Sequence, residues 1–129
     1  MDTLNALGNT AGNLLYGLYR RMTAGAALDL LRDPASDAIF LDTNAPRAAA
    51  PYLARYPGRW VNIPYEQVAA RLDELPRERT IVTICDSGIR SFESQVLLTA
   101  RGFPQAFALE GGLNLLKRLG IDVLAGAPG

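Results

Sequence analysis

The run Thr80-Ile81-Val82-Thr83-Ile84 constrains the fold more than any other part of the chain. Every residue in it is β-branched, which favours extended backbone, and it offers no regular set of polar side chains to water. A strand of that kind belongs in a parallel sheet covered on both faces. Other short runs share the pattern: Ala38 to Asp42, Trp60 to Ile63 closed by Pro64, Ala106 to Leu109, and a short edge strand within Tyr19 to Met22. Helical patterns lie between them. Thr23 is a candidate N-cap for a helix carrying Leu28, Leu30 and Leu31 that stops before Pro34. Ala45 to Tyr56 is alanine-rich, with Pro46 and Pro51 confining it to short helical pieces. Tyr65 to Leu75 places Val68, Leu72 and Leu75 at helical spacing. Ser91 to Arg101 aligns Phe92, Val96, Leu97 and Ala100, and Leu113 to Leu119 forms a last helix. Strand and helix in alternation predict an α/β fold: a small parallel sheet of four to five strands with helices on both faces.

At 129 residues, with no internal repeat and no long linker, the chain is expected to form one domain over residues 19–124. A helical extension is expected over residues 1–18 and a flexible tail over 125–129. Leu4, Leu7, Leu14, Leu15 and Leu18 recur at near-helical spacing, so the extension is expected to pack on the domain, on a protein partner or, by self-association, on a second copy of the chain. Asn5, Asn9 and Asn13 interrupt it, and its basic residues, Arg20 and Arg21, follow the apolar part. That order argues against a secretory signal or a membrane span and for a cytoplasmic protein. Thirteen basic residues balance thirteen acidic ones, so no overall positive field exists to collect nucleic acid or an anionic membrane.

Cys85 is the single cysteine, and the chain has no histidine. An internal disulfide is excluded, a structural zinc site is not expected, and no Ser-His-Asp or Cys-His nucleophile can be built. Yet Cys85 stands at the carboxyl end of the strand, where ligands gather in parallel sheets, and is followed by Asp86-Ser87-Gly88-Ile89-Arg90-Ser91 and a helix. Gly88 can adopt the positive φ that turns successive backbone N–H groups inward as an anion nest. The helix start adds partial positive charge. Such surroundings favour the thiolate, the nucleophilic form of cysteine. Arg90 supplies a cationic edge or an outer clamp, and Ser87 and Ser91 supply hydroxyls, Ser91 alternatively capping its helix. Four residues separate Cys85 from Arg90, whereas cysteine-based phosphatases place five there and commonly a histidine before the cysteine. The smaller ring suits a sulfur atom carried on the thiolate better than a phosphoryl group.

A strand delivering a lone thiol into a short glycine-bearing loop that opens a helix resembles the active-site loop of the rhodanese family of sulfurtransferases. The likeness extends over about Tyr19 to Val123. Leu41-Asp42-Thr43 looks like the family's strand ending in aspartate. Asn62-Ile63-Pro64 and Leu109-Glu110-Gly111-Gly112 match its corresponding segments, and Gly120 to Val123 resembles the stretch after its last helix. The resemblance implies a sulfurtransferase in which Cys85 takes sulfane sulfur from a small donor and passes it to a thiol, cyanide or a protein, with no organic cofactor. The loop Asp86, Ser87, Gly88, Ile89, Arg90 and Ser91 would cradle the persulfide. Asn44 stands where many members have arginine, the histidine usual before Asn-Ile-Pro is missing, and Leu116 replaces a common tryptophan. Asp86 stands where thiosulfate-using members often have arginine. A carboxylate about 5 Å from the sulfur costs an anionic donor on the order of 1 kcal/mol or more at an effective dielectric of about 20 or higher. That argues against thiosulfate as the physiological donor. The alternative is a catalytically silent interaction or regulatory module of the same family.

Overall fold

The computed structural model describes residues 17–125. The helix expected over residues 1–18 and the tail expected over 125–129 lie, but for their innermost residues, outside that range. Five strands, β1 (Arg21–Met22), β2 (Ile39–Asp42), β3 (Trp60–Asn62), β4 (Ile81–Ile84) and β5 (Ala106–Leu109), form one sheet in the order β1-β5-β4-β2-β3. Every neighbouring pair is parallel. The β-branched run is therefore central, with β2 and β5 on either side of it, and all four residues of β4 are buried.

Alternation along these strands divides the core in two. Phe40, Val82, Ile84 and Leu109 face one layer, where they pack with Trp60 against Leu28, Leu31, Leu113 and Leu116. Ile39, Leu41, Ile81 and Ala106 face the other, against Val68, Leu72, Leu98 and Phe103. The first layer holds α1 (Ala24–Arg32), α2 (Pro46–Arg55) and α4 (Gly112–Arg118); the second holds α3 (Ile89–Ala100). Helices thus cover both faces, as the unbroken apolar strands require.

Thr23 caps α1 as expected, its side chain accepting from the Ala26 N–H at 3.2 Å. Three other expectations are corrected. α2 is one helix despite Pro51: Pro46 occupies its first turn, where a missing N–H costs nothing. Pro51 and Arg47, whose carbonyl the proline leaves unpaired, are both exposed, so water can serve that carbonyl. Residues 65–75 form two 3-10 turns, Tyr65–Gln67 and Leu72–Glu74, in place of a helix. Their N–H groups pair three residues back, as Val68 to Tyr65 and Leu75 to Leu72, and still bury Val68, Leu72 and Leu75. Finally, α3 starts at Ile89, two residues before Ser91, and its buried residues are Ser91, Ser94, Gln95, Val96 and Leu98. Phe92 and Leu97 are only half-buried and Ala100 is exposed. The polar members earn burial by bonding: the Gln95 side chain donates to the Leu18 carbonyl at 2.9 Å and accepts from the Arg20 N–H at 3.0 Å, holding the approach to β1.

Arg59 closes the end of α1, donating to the carbonyls of Leu31 and Asp33, each at 2.9 Å, and to that of Leu30. Charge-assisted bonds to orphan helix carbonyls are among the stronger ones. Arg59→Leu should lower the urea midpoint by the equivalent of about 2 kcal/mol without changing the m-value. An unchanged midpoint would show that these bonds merely replace water.

Candidate functional site

The site is built where β4 ends. Cys85 is 2% exposed, and the chain must turn from it into α3 within three residues. The turn is held from below by α4. The N–H groups of Leu113 and Asn114 donate to the carbonyls of Cys85 and Asp86, each at 2.9 Å. This contact needs the chain of α4 pressed close under the loop. A Cβ on Gly112, which sits at φ +63°, would lie 2.5 Å from the Asp86 carbonyl oxygen and 2.6 Å from that of Cys85. Thr83 adds a second tie, its hydroxyl donating to the Ser91 carbonyl at 2.7 Å.

Beyond this anchored stretch, two N–H groups of the loop face the sulfur. Gly88, in the left-handed region at φ +97°, caps α3 and donates its N–H to Cys85 Sγ at 3.0 Å. The Ser91 N–H donates to Sγ at 3.4 Å, and the Ser91 hydroxyl lies 3.4 Å from it. The thiol can donate to that hydroxyl; a thiolate would receive from it. Ser91 is 0% exposed, so its hydroxyl is committed to this contact and does not cap the helix.

Of the seven residues singled out in the sequence, Cys85, Gly88 and Ser91 thus meet at the sulfur. The other four form a rim. Ser87 accepts from the Ile89 N–H at 3.4 Å, and Ile89 is 65% exposed. The Arg90 guanidinium lies 5.4 Å from the centre of the Tyr65 ring, outside the cradle. Tyr65 in turn donates its hydroxyl to the Glu93 carboxylate. That bond, foremost, holds the phenol above its ordinary range. Asp86 is exposed and accepts from the Asn44 side chain at 3.3 Å. Asn44, Cys85, Asp86, Ser87, Ile89 and Arg90 line an open cavity of about 320 Å³.

Asn44 was not a predicted site residue, and neither was the buried carboxylate that positions it. Asp42 is 0% exposed at the end of β2. It accepts from Trp60 Nε1 at 3.0 Å and from the Asn44 N–H at 2.9 Å. Asn62, its register partner on β3, donates to the carbonyls of Asp42 and Asn44, each at 2.9 Å. The Asp-Thr-Asn and Trp-Val-Asn triplets were visible in the sequence; only the strand register joins them. Burial raises the Asp42 pKa above its ordinary 3.8, more than its hydrogen bonds lower it, and Asp86 nearby adds to the rise.

The arrangement offers a thiol whose sulfur faces hydrogen-bond donors that can receive negative charge, and the chain has no histidine to serve as its base. Such a centre suits electrophiles whose leaving group departs without a proton, as a thiolate does. Among the described residues no group of three or more Cys, Asp or Glu side chains is arranged to hold a metal ion. No helix among them is long and apolar enough to cross a membrane.

Comparison with known proteins gives the chain's family and fold. The family model of the rhodanese-like domain matches residues 23–118. A curated sulfurtransferase of Allochromatium vinosum is 29% identical over 65 residues, which span 50% of this chain and 61% of that protein. The crystal structure of a rhodanese-related protein of Thermoplasma volcanium aligns with a TM-score of 0.66 at 22% identity, covering 83% of this chain and all of that one. An NAD-dependent persulfide reductase of A. fulgidus aligns at 28% identity and a TM-score of 0.59, covering 88% of this chain but 18% of that protein.

Two substitutions test the construction. Gly112→Ala should destabilise the chain by about 2–4 kcal/mol, combining positive φ with backbone overlap, whereas Gly120→Ala, with positive φ but open space, should cost only about 1–2 kcal/mol. Equal losses would mean that α4 does not press on the loop. For Asp42 the sign follows from its raised pKa. As pH rises above 3.8 the unfolded chain loses this proton first, the folded chain binds more protons, and Asp42 subtracts stability until its folded pKa is passed. The unfolding free energy of wild type minus that of Asp42→Asn, followed by urea titration, should therefore fall as pH rises from below 3.8. A flat or rising difference would contradict it.

Proposed function

This chain belongs to the rhodanese-like domain family, and from that premise we propose that it transfers sulfane sulfur through a persulfide on Cys85. The observation that carries the reading is the sulfur's setting: Gly88 N–H at 3.0 Å and Ser91 N–H and hydroxyl at 3.4 Å. The Cys85 thiolate attacks the sulfane sulfur of a small donor. A bond forms between the two sulfurs, the donor's bond to that sulfur breaks, and the donor leaves as its thiolate or other anion. The persulfide then hands the outer sulfur to a thiol, cyanide or a protein acceptor, which restores Cys85. Sulfur atoms and electron pairs balance in both halves, and the chain's own groups supply only placement and charge stabilisation.

The names of the related sulfurtransferase and persulfide reductase support this class of chemistry. The single unpaired thiol agrees with a reducing compartment such as the cytoplasm. The exposed carboxylate of Asp86 beside the nucleophile favours a second reading, a silent interaction module of the same fold.

One experiment separates them. Incubation with an organic persulfide should add the mass of one sulfur atom to the Cys85 peptide, removable by dithiothreitol and absent in Cys85→Ser. A folded protein that acquires no such adduct would overturn the carrier reading and leave the module.

A further inference from the structure

The rim carries two opposite charges, and neither is neutralised by a salt bridge. Among the described residues the ion pairs are Arg21 with Glu110, Arg71 with Glu74 and Arg79 with Asp37. Arg90 has no carboxylate within that reach. Glu93, one turn further along α3, is engaged by the Tyr65 hydroxyl, and the guanidinium rests over the Tyr65 ring instead. Asp86 accepts one bond, from Asn44, and its charge is otherwise free. Different supports hold the two. The Asp86 carbonyl is bonded to Asn114 of α4 and its carboxylate to Asn44, two residues past β2, while Arg90 stands on α3 against Tyr65. Both line the cavity that Cys85 lines.

We propose that Asp86 and Arg90 select a zwitterionic donor, the persulfide of an α-amino-acid thiol, with its ammonium at Asp86 and its carboxylate at Arg90. The inference rests on the reading of Cys85 as sulfur carrier and names the donor class for that site. A dianion such as thiosulfate brings two negative charges toward Asp86 and finds one cation. An amino-acid persulfide presents one charge of each sign a few bonds from the sulfur that leaves. Its amphoteric head matches a rim with one acid and one base, and its short chain fits an open cavity of about 320 Å³. In the step itself, R–S–SH and the Cys85 thiolate give Cys85–S–SH and R–S⁻. The bond between R–S and the outer sulfur breaks as the Cys85–sulfur bond forms, and the amino-acid thiolate takes a proton from water. Asp86 and Arg90 act as specificity residues: they hold the head of the donor and leave the sulfur chemistry to the cradle.

The test measures the rate at which the Cys85 persulfide forms with four donors. Cysteine persulfide carries both charges, N-acetylcysteine persulfide lacks the ammonium, cysteamine persulfide lacks the carboxylate, and thiosulfate carries neither head group. Wild type should favour cysteine persulfide over the N-acetyl donor by about tenfold in kcat/KM, the effect of one charge contact at a half-wet rim. Asp86→Asn should reduce that ratio to within about twofold by slowing the cysteine donor, and should narrow the gap to thiosulfate. Arg90→Gln should bring cysteine and cysteamine persulfides together in the same way. Equal kcat/KM for cysteine and N-acetylcysteine persulfides in wild type would overturn the proposal, as would an Asp86→Asn variant that slows both alike. Failure of every donor to load Cys85 would instead remove the carrier reading beneath it.

Discussion

The orientation of two carbonyl groups governs the rest of this structure. Those of Cys85 and Asp86 point into the first turn of α4, where Leu113 and Asn114 receive them. Each peptide unit is rigid, so these two bonds fix the planes that join Cys85 to Asp86 and Asp86 to Ser87, and thereby anchor the first part of the loop. The net worth of each bond is only about 1 kcal/mol. Their positional effect is larger, because they fix where the loop leaves β4 and so the base from which Gly88 and Ser91 bring their N–H groups to the sulfur. Gly112 is the residue that allows the approach, and Gly88 the residue that turns the chain back into α3. The loop is thus specified by a segment more than twenty positions away in sequence.

A second constraint enters from β2 and β3. A buried carboxylate is costly unless its oxygens are satisfied, and Asp42 is served by the indole of Trp60 and the backbone of Asn44. The indole is itself fixed by packing, stacked on Tyr52 at 4.8 Å and on Phe40 at 5.9 Å. Through these contacts the aromatic layer under the sheet sets where Asn44 stands, and Asn44 sets where Asp86 points. Core packing and rim electrostatics are therefore linked. A change at Trp60 should be felt in the rim as well as in stability.

Much of this was legible in the sequence, for identifiable reasons. The strands were readable because Ile81 to Ile84 and Ile39 to Asp42 are buried on both faces and so carry an unmistakable apolar signal. Cys85, Gly88 and Ser91 were readable because one short loop contains them all. Apolar spacing starts α3 two residues late because Gly88, not a side-chain cap, starts it, and its buried side mixes the polar Ser91, Ser94 and Gln95 with Val96 and Leu98, which hydrophobic periodicity registers only in part. The 3-10 turns were misread as helix because burial at Val68, Leu72 and Leu75 fits either spacing. The Asp42, Trp60 and Asn44 network was invisible, since it exists only once β2 and β3 are paired in register.

The absence of histidine has a chemical meaning that this geometry makes specific. An acyl or phosphoryl group leaving from oxygen or nitrogen needs a proton delivered as its bond breaks, which calls for a general acid near the reacting atoms. A thiolate leaving from sulfur carries its own charge readily, because thiols ionise not far above neutral pH. Under the proposed sulfur transfer, the protein's task is to stabilise negative charge on the attacking sulfur and to hold the donor in line. Gly88 and Ser91 meet the first requirement with fixed donors that need no reorganisation as charge moves. The proposal gives the second to the rim, whose side chains can vary without disturbing the carbonyls that α4 holds. Division of labour between a backbone cradle and a side-chain rim follows from the single fact that Cys85 sits where β4 stops and two helices begin.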